Sequence, residues 1–315
     1  MMRVVFMGTP DFAGVCLEEL IKADFVDVAG VVTQPDRKSG RGMKVRYSPV
    51  KKLALDNDIE VYQPKNVNTP EFVDKLEELD LDAIIVVAYG QLLKERLLKL
   101  TPHGCINVHA SELPMYRGAG PIHRVIINGE TKTGVTTMYM DKGWDTGDMI
   151  LKKIVSIPES MNVGQLHDLL AAEGGKLLVE TLRQIEEGVA PRTPQDHNLA
   201  SYAHKINKED GEIDWSKSAV EIYNLVRGMN PWPGSYTWYE GKIFKIWKTQ
   251  IGPDITGGEP GQVMDTDSDK GILVQTGEGG LWLTKVQPAS KRRMSAGDYL
   301  NGYNLEQGEV FGNEK

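Results

Sequence analysis

The chain has 315 residues, with 36 Lys plus Arg against 44 Asp plus Glu, and a formal net charge of −8. Apolar residues make up 40% and charged residues 25%, which excludes a disordered chain, and the length predicts two domains. There is no apolar run long enough to span a membrane, and the acidic balance argues against non-specific nucleic-acid binding by the whole surface.

Strand and helix patterns alternate over residues 1–150. Strands are predicted at Arg3–Met7, Val26–Thr33, Asp82–Tyr89, Cys105–His109 and Val135–Met140. Helices are predicted after Thr9-Pro10, Ser48-Pro49 and Thr69-Pro70, where a hydroxyl can cap and proline suits the first turn, and at Met161–Glu187. This order predicts an α/β fold with a Rossmann-like, mostly parallel sheet covered by helices on both faces.

The composition changes after the long helix. Residues 190–210 are polar and proline-rich, which is typical of a linker between a domain at 1–189 and another at 211–315. In the second domain, Ser216 is the expected cap of a helix running to about Met229. Short strands are then predicted at Ser235–Tyr239, Lys242–Thr249, Gly261–Asp265, Gly271–Gln275 and Leu281–Gln287. This pattern favours a small β-barrel of the oligonucleotide-binding (OB-like) type.

The first strand-to-helix turn, around Gly8, stands where a dinucleotide-binding fingerprint would stand. It lacks the G-x-G-x-x-G pattern, so a tight turn explains Gly8 better than a nicotinamide cofactor. The sequence contains no Walker A motif, and its Cys and His residues do not have zinc-site spacing.

The segment from Gly104 to Gly120 is the richest in chemistry. Asn107 and His109 are two residues apart on a predicted strand, so both side chains project from the same face, at the end of the strand where open α/β sheets bind ligands. An amide can stabilise an oxyanion while an imidazole moves protons, which suits acyl transfer. The alternative is a histidine that is simply hydrogen-bonded in a turn.

Three acids, Asp141, Asp145 and Asp148, follow in a short glycine-containing loop. One of them could orient a histidine and stabilise its cationic form. Asx-turn chemistry is the competing explanation, and metal binding has little support because the spacing lacks the EF-hand pattern.

A basic segment spans residues 34–52, with seven cations and one acid. Beside a catalytic cleft, such a segment would suit a polyanionic substrate such as RNA. A solvated run of charge is the alternative.

Two motifs resemble a known family. CINVHASELPMYRGAGPI, starting at Cys105, and MDKGWDTGD, starting at Met140, are similar to motifs of the 10-formyltetrahydrofolate-dependent formyltransferases. The resemblance extends from end to end. The basic segment and C-terminal motifs such as NPWPG, starting at Asn230, narrow it to the branch that acts on methionyl-tRNA.

The resemblance implies a function and a site. The implied activity is formyl transfer from 10-formyltetrahydrofolate, as co-substrate, to the α-amino group of initiator methionyl-tRNA, which supplies translation initiation. The implied catalytic residues are Asn107, His109 and Asp145, with no metal. The implied folate-binding residues are Ser111, Glu112, Leu113 and Pro114. Glu112 departs from the family, which usually has leucine there, so the contacts of this loop are less well defined than the catalytic set.

The same resemblance implies that the basic segment approaches the acceptor end of the tRNA and that the C-terminal domain docks on the acceptor arm. The expected tRNA-binding residues are Arg37, Lys38, Arg41, Lys44 and Arg46, with Arg41 the best single candidate. We expect a monomer without a membrane partner. Only two cysteines are present, which fits the reducing cytoplasm. The rival hypotheses are a formyltransferase acting on a small amine, such as a nucleotide sugar or glycinamide ribonucleotide, and a non-catalytic RNA-binding module.

Overall fold

The structure, a computed structural model, describes residues 1–39 and 44–312, and the chain divides into two units. The first unit consists of Met1–Pro121, Lys132–Val155 and His167–Ala203. The second consists of Ile122–Thr131, Ser156–Leu166 and His204–Lys315, so two short segments of it precede the last segment of the first unit in the sequence.

Nine strands lie in the first half of the sequence. They are β1 Met2–Gly8, β2 Val26–Val32, β3 Arg37–Ser39, β4 Lys44–Arg46, β5 Val61–Tyr62, β6 Ala83–Val87, β7 Cys105–His109, β8 Lys132–Tyr139 and β9 Met149–Ser156. Seven of them form one sheet in the order β5-β2-β1-β6-β7-β8-β9, while β3 and β4 pair as a separate antiparallel hairpin. The pairs from β5 to β7 are parallel, and β8 runs antiparallel to β7.

Apolar burial explains the centre of this sheet. Every residue of β6, the run AIIVV, is buried, as expected of a strand covered on both faces. Gly8 ends β1 where the packing is tightest, because a Cβ there would lie 2.7 Å from the Ala13 Cβ and 3.0 Å from the Val87 carbonyl oxygen. Close packing therefore accounts for this glycine.

Eight α-helices are present in the described residues. They are α1 Asp11–Lys22, α2 Pro49–Asp56, α3 Pro70–Glu77, α4 Glu95–Leu98, α5 Pro121–Ile127, α6 Val163–Glu186, α7 Ala219–Gly228 and α8 Ala296–Gly302. Within residues 1–39 and 44–312, none of the helices has the length and apolar character that crossing a membrane would require.

The second unit contains a small antiparallel sheet. Its strands are β10 Ser235–Tyr239, β11 Lys242–Ile251, β12 Val263–Asp267, β13 Gly271–Gln275, β14 Gly280–Gln287 and β15 Met294–Ser295. The strand order is β10-β11-β14-β13-β12, and β15 pairs with β14. A core that includes Trp215, Ile222, Phe244 and Leu283 lies within this unit. The predicted fold class, an α/β sheet followed by a unit of short strands, is confirmed.

Two predicted helix caps, Thr9 and Ser216, were wrong, and a third, Thr69, is the N-cap of α3 but makes no capping bond. Helix α1 is preceded by Pro10 as its N-cap, and the Thr9 hydroxyl instead accepts from the Gln34 backbone at 3.3 Å. Thr69 precedes α3 without a side-chain capping bond. The cap of α7 is Ser218 rather than Ser216, because Ser218 and Glu221 satisfy each other's backbone N–H groups in a capping box. The Ser48 cap of α2 is confirmed, since its hydroxyl accepts from the Lys51 backbone N–H.

Candidate active site

Strand β7 presents an amide and an imidazole at its carboxyl end. Asn107 and His109 are 9% and 7% exposed, and their alternate spacing directs both to one face of the sheet. Asn107 pairs with Val86 of β6 on one side and with Met138 of β8 on the other. The two side chains are therefore held on a central strand with limited access to solvent.

The contacts of His109 distinguish the two nitrogens of its ring. Its Nε2 lies 3.0 Å from the carbonyl oxygen of Tyr116. A carbonyl only accepts, so Nε2 carries the proton and donates. Its Nδ1 lies 3.7 Å from Oδ2 of Asp145, which is too long for a direct hydrogen bond but close enough for the carboxylate to stabilise a charged ring. Nδ1 is thus the nitrogen available for proton transfer.

Asp145 is fixed in the loop between β8 and β9. Its backbone has a left-handed φ of 53°, which is uncommon for a residue with a side chain. The Gly118 backbone N–H donates to Asp145 Oδ2 at 2.8 Å. Gly118 has a φ of 107°, and a Cβ there would lie 2.9 Å from the Ala203 carbonyl oxygen. Only glycine fits this position, and its N–H anchors the carboxylate beside His109.

A buried side-chain network that the sequence analysis missed holds the same loop. Arg117 is 1% exposed, and its Nη2 donates to Gln195 Oε1 at 2.8 Å. Gln195 Nε2 in turn donates to the carbonyl oxygens of Asp145 at 2.9 Å and Gly147 at 2.8 Å. Arg117 was visible as a charge inside a glycine-rich motif. Gln195 had no comparable signal because its segment has the composition of a linker.

The predicted folate loop divides into buried and accessible positions. Ser111 and Leu113 are fully buried, and the Ser111 hydroxyl donates to the Met115 carbonyl oxygen at 2.7 Å. Glu112 and Pro114 are only partly buried. Ser111 and Leu113 thus shape the loop, and Glu112 and Pro114 are its positions with solvent-accessible side chains.

Lys152 adds a positive charge beside this loop. Its Nζ donates to the carbonyl oxygen of Leu113. Burial lowers the pKa of the Lys152 ammonium, while the Glu112 carboxylate nearby raises it. The pair gives the loop one charge of each sign.

A cavity of 410 Å³ lies beyond the carboxyl ends of β1, β2 and β6. Its lining residues are Thr9, Gln34, Pro35, Asp36, Arg46, Tyr47, Ser48 and Gly90. Strands β2 and β5 lie on one side of β1, and β6 and the later strands lie on the other, so the strand order reverses between β1 and β6. Open α/β sheets bind ligands at such a reversal point. Two strand spacings, about 10 Å, separate β1 from β7, so a substrate could reach from this cavity to His109.

Asp36, which lines this cavity, is held by a salt bridge. Lys51 Nζ lies 2.6 Å from Asp36 Oδ2 and donates to Gln63 Oε1 at 2.7 Å. Gln63 Nε2 donates back to Asp36 Oδ1 at 2.9 Å. The hydrogen bond from Lys51 lowers the pKa of the Asp36 carboxyl. The only acid of the basic segment is thereby neutralised by a lysine of the same segment.

The predicted tRNA-binding residues lie at or near the β3–β4 hairpin. Arg37 and Lys38 belong to β3, and Lys44 and Arg46 to β4, with Arg37 paired opposite Arg46. Arg46 is exposed and reaches the cavity beside β1. Arg41 lies outside the described residues.

Within the part of the chain that the structure describes, no three His, Cys, Asp or Glu side chains are grouped so as to hold a metal ion.

Two family models match the chain. The model for formyl transferase matches residues 2–182, and the model for the formyl transferase C-terminal domain matches residues 205–304. The methionyl-tRNA formyltransferase of Halothermothrix orenii is 49% identical, and the match covers 99% of this chain and 100% of that relative. The chain belongs to the methionyl-tRNA formyltransferase family.

Further comparisons agree with this membership. The methionyl-tRNA formyltransferase of Clostridioides difficile is 51% identical, with 99% of this chain and 100% of the relative covered. Among solved structures, one match is the crystal structure of WlaRD, a sugar 3N-formyl transferase, determined in the presence of dTDP and 5-N-formyl-THF. It matches with a TM-score of 0.67 at 20% identity, covering 93% of this chain and 99% of that chain. An identity this low shows a shared fold alone.

Proposed function

We propose that this chain transfers the formyl group of 10-formyltetrahydrofolate to the α-amino group of methionine esterified to initiator tRNA. The product, formylmethionyl-tRNA, serves translation initiation. The relatives, about half identical over nearly the whole chain, support the reaction. The observation that carries the assignment of chemistry is the grouping of Asn107, His109 and Asp145 at one end of β7.

Asn107 and His109 stabilise the tetrahedral intermediate. The amine attacks the formyl carbon, and negative charge develops on the formyl oxygen. The Asn107 amide and a protonated His109 Nδ1 are donors to that oxygen, held in place before the reaction by β7. Donors of this kind contribute on the order of 10²–10³ in rate each.

The proton transfers fall to His109 and Asp145. Because Nε2 of His109 is engaged by the Tyr116 carbonyl, Nδ1 delivers the proton to the departing N10 of the folate. Asp145 stabilises the imidazolium across 3.7 Å and takes a proton from the attacking amine, directly or through one bridging water. The chemistry requires no metal and no covalent enzyme intermediate.

The two substrates approach from different parts of the protein. We assign the folate to the loop at Ser111–Pro114, where Glu112 and Pro114 are accessible. The presence of 5-N-formyl-THF in the structure of WlaRD supports a formyl-folate donor for this fold. The tRNA acceptor end is assigned to the basic segment, with Arg37, Lys38, Arg41, Lys44 and Arg46 as its contacts.

The roles of the domains follow. Residues 1–189 carry catalysis, residues 211–315 dock on the acceptor arm, and residues 190–210 connect them. The protein acts as a monomer in the cytoplasm, and its two free, buried cysteines are compatible with that reducing compartment.

Replacing Arg41 by alanine is expected to weaken tRNA binding more than folate binding.

The test is a formyl-transfer assay with the intact protein and charged initiator tRNA, compared with nucleotide-sugar amines as acceptors. His109→Ala should lower kcat by about 10²–10⁴ at saturating substrates, since it removes a proton carrier and an oxyanion donor. His167→Ala is the matched control, because His167 lies on α6 and its ring packs against Phe12 of α1. Near-normal turnover of His109→Ala would refute the assigned mechanism, and preference for a small amine would refute the assigned substrate.

A further inference from the structure

The β3–β4 hairpin carries four of the cations that we assign to the tRNA, yet it is not part of the main sheet. Within residues 1–39 and 44–312, β3 and β4 pair with each other and with no strand of the seven-stranded sheet. A hairpin of two short strands has little stability of its own. Its direction therefore depends on the two segments at its base, where Asp36 directly precedes β3 and Tyr47 directly follows β4.

The ammonium group of Lys51 contacts both of these segments. Its Nζ lies 2.6 Å from Oδ2 of Asp36, on the entering side of the hairpin. The same Nζ lies 4.1 Å from the ring centroid of Tyr47, on the leaving side. A carboxylate and the face of an aromatic ring both attract a cation. One charged group thus holds the two ends of the hairpin together.

Gln63 connects this contact to the main sheet. It directly follows β5, the edge strand of the seven-stranded sheet. Its Oε1 accepts from Lys51 Nζ at 2.7 Å, and its Nε2 donates to Asp36 Oδ1 at 2.9 Å. The same Nε2 donates to the carbonyl oxygen of Gln34 at 2.9 Å. Asp36, Lys51 and Gln63 form a closed ring of contacts, the hairpin clamp, between the base of the hairpin and the sheet.

Lys51 is bound to the protein more closely than a phosphate-binding lysine would be. It lies in the first turn of α2, and its side chain is 13% exposed, against 23% for the side chain of Asp36. Two of its three N–H donors are taken by Asp36 and Gln63. A partly buried charge that loses its partner is costly, so each member of the ion pair depends on the other.

We propose that Asp36, Lys51 and Gln63 are positioning residues, which fix the direction of the β3–β4 hairpin and so present its cations to the acceptor end of the tRNA. Lys51 then contributes to tRNA binding without contacting the RNA, and Asp36 favours the binding of a polyanion although it is an acid. The inference rests on the proposed function, to which it adds the residues that hold the tRNA-binding segment.

The substitution Asp36→Asn distinguishes the hairpin clamp from simple electrostatics. Removal of an acid beside a phosphate-binding segment would, by charge alone, strengthen tRNA binding. Loss of the clamp predicts the opposite. The KM for methionyl-tRNA should rise about tenfold near 0.1 M salt, while kcat and the KM for 10-formyltetrahydrofolate stay unchanged. Asp56→Asn is the matched control, because Asp56 is an exposed acid at the end of α2, and its KM for tRNA should change by less than about twofold.

Lys51→Met tests whether the ion pair acts as a unit. Alone, it should raise the KM for methionyl-tRNA about as much as Asp36→Asn does. The double variant should show little further rise, because the same contact is lost in all three proteins. Effects of opposite sign for the two single substitutions would mean that Lys51 binds the RNA directly, and would overturn the proposal.

Amide hydrogen exchange followed by mass spectrometry measures the hairpin without an activity assay. Exchange in Arg37–Ser39 and Lys44–Arg46 should be about tenfold faster in Asp36→Asn than in the wild type or in Asp56→Asn. Equal exchange rates in all three proteins would overturn the proposal.

The outcomes separate the hairpin clamp from the activity. If the wild-type protein fails to formylate methionyl-tRNA, the proposed function is wrong, and the exchange rates still decide whether the clamp holds the hairpin. If the wild type is active and Asp36→Asn has the same KM for tRNA as Asp56→Asn, the clamp proposal alone is wrong.

Discussion

Gln195 joins separate parts of the first unit through one side-chain amide. Its oxygen accepts from the buried guanidinium of Arg117, and its nitrogen donates to the carbonyl oxygens of Asp145 and Gly147. Removing this amide would take one acceptor from the buried Arg117 guanidinium, which also lies 3.3 Å from His197 Nδ1, and a donor from the two carbonyl oxygens. Leaving such groups unsatisfied is costly. Gln195 thus holds the loop whose carboxylate faces His109.

Gln195→Ala should therefore lower both stability and turnover. We expect the free energy of unfolding to fall by about 1–3 kcal/mol, measured by urea unfolding followed by far-UV circular dichroism. Gln184→Ala is the control, because the Gln184 side chain donates to Glu180 on the same helix, and its effect should stay within about 0.5 kcal/mol. Equal stability and activity of the two variants would show that the Gln195 network does not hold the loop.

The two buried cysteines report on the packing of α1 and β7. Burial raises the pKa of the Cys16 and Cys105 thiols to about 12, because the charged thiolate is disfavoured away from water. A thiol in the unfolded chain has a pKa of about 8.5, so it loses its proton at a lower pH than the buried thiol of the folded protein. The free energy of unfolding should therefore fall as the pH rises above about 8.5.

Native protein at pH 8 should give no reaction with a thiol-specific disulfide reagent, whereas protein in concentrated urea should give two thiols per chain. Rapid reaction of either thiol in the native state would contradict the packing of α1 or β7.

At the scale of elements, α7 begins with a complete capping box. The Ser218 hydroxyl accepts from the Glu221 N–H at 3.2 Å, and the Glu221 carboxylate accepts from the Ser218 N–H at 2.9 Å. Ser216, two residues earlier, bonds to Asp214 instead. Either serine suits a cap by residue type, and only the path of the chain decides between them.

Ser218→Ala should lower the free energy of unfolding by about 1 kcal/mol, and Ser216→Ala should lower it by less than half as much. Tryptophan fluorescence during urea unfolding is the suitable measurement, because five of the six tryptophans lie after residue 200, in the same unit as α7. The reverse order of effects would mean that Ser216 is the cap in solution.

At the scale of the whole molecule, a net charge of −8 accompanies local positive regions. The basic segment has seven cations in residues 34–52, and one cleft of the second unit is lined by Arg227, Lys248, Lys285 and Arg293 and by no acidic residue. Affinity for a polyanion depends on such local groups, and the surrounding acidic surface discourages non-specific contacts. The binding energy for RNA should therefore be strongly electrostatic.

The KM for methionyl-tRNA should rise at least about tenfold between 50 and 200 mM salt, since each neutralised phosphate releases counterions. The KM for 10-formyltetrahydrofolate, measured in the same titration, serves as the internal control and should change little. A KM for tRNA that is insensitive to salt would exclude phosphate contacts as the main source of affinity.

The sequence by itself was sufficient for the local features. Buried runs such as that of β6, the spacing of Asn107 and His109, and the short strands of the second unit depend on neighbouring residues, so their patterns survive in the linear chain. The family motifs added Asp145 to the proposed catalytic set, whereas its spacing alone fitted either catalysis or a turn.

Only the tertiary structure decided the contacts between residues far apart in the chain. Gln195 lies 78 residues from Arg117, and the register that places Lys248 opposite Lys285 is set by the pairing of β11 with β14. The assignment of His109 Nδ1 as the proposed reacting nitrogen likewise depends on where the Tyr116 carbonyl lies. Long-range partners of this kind leave no periodic signal, because each is selected by geometry at a single place in the fold.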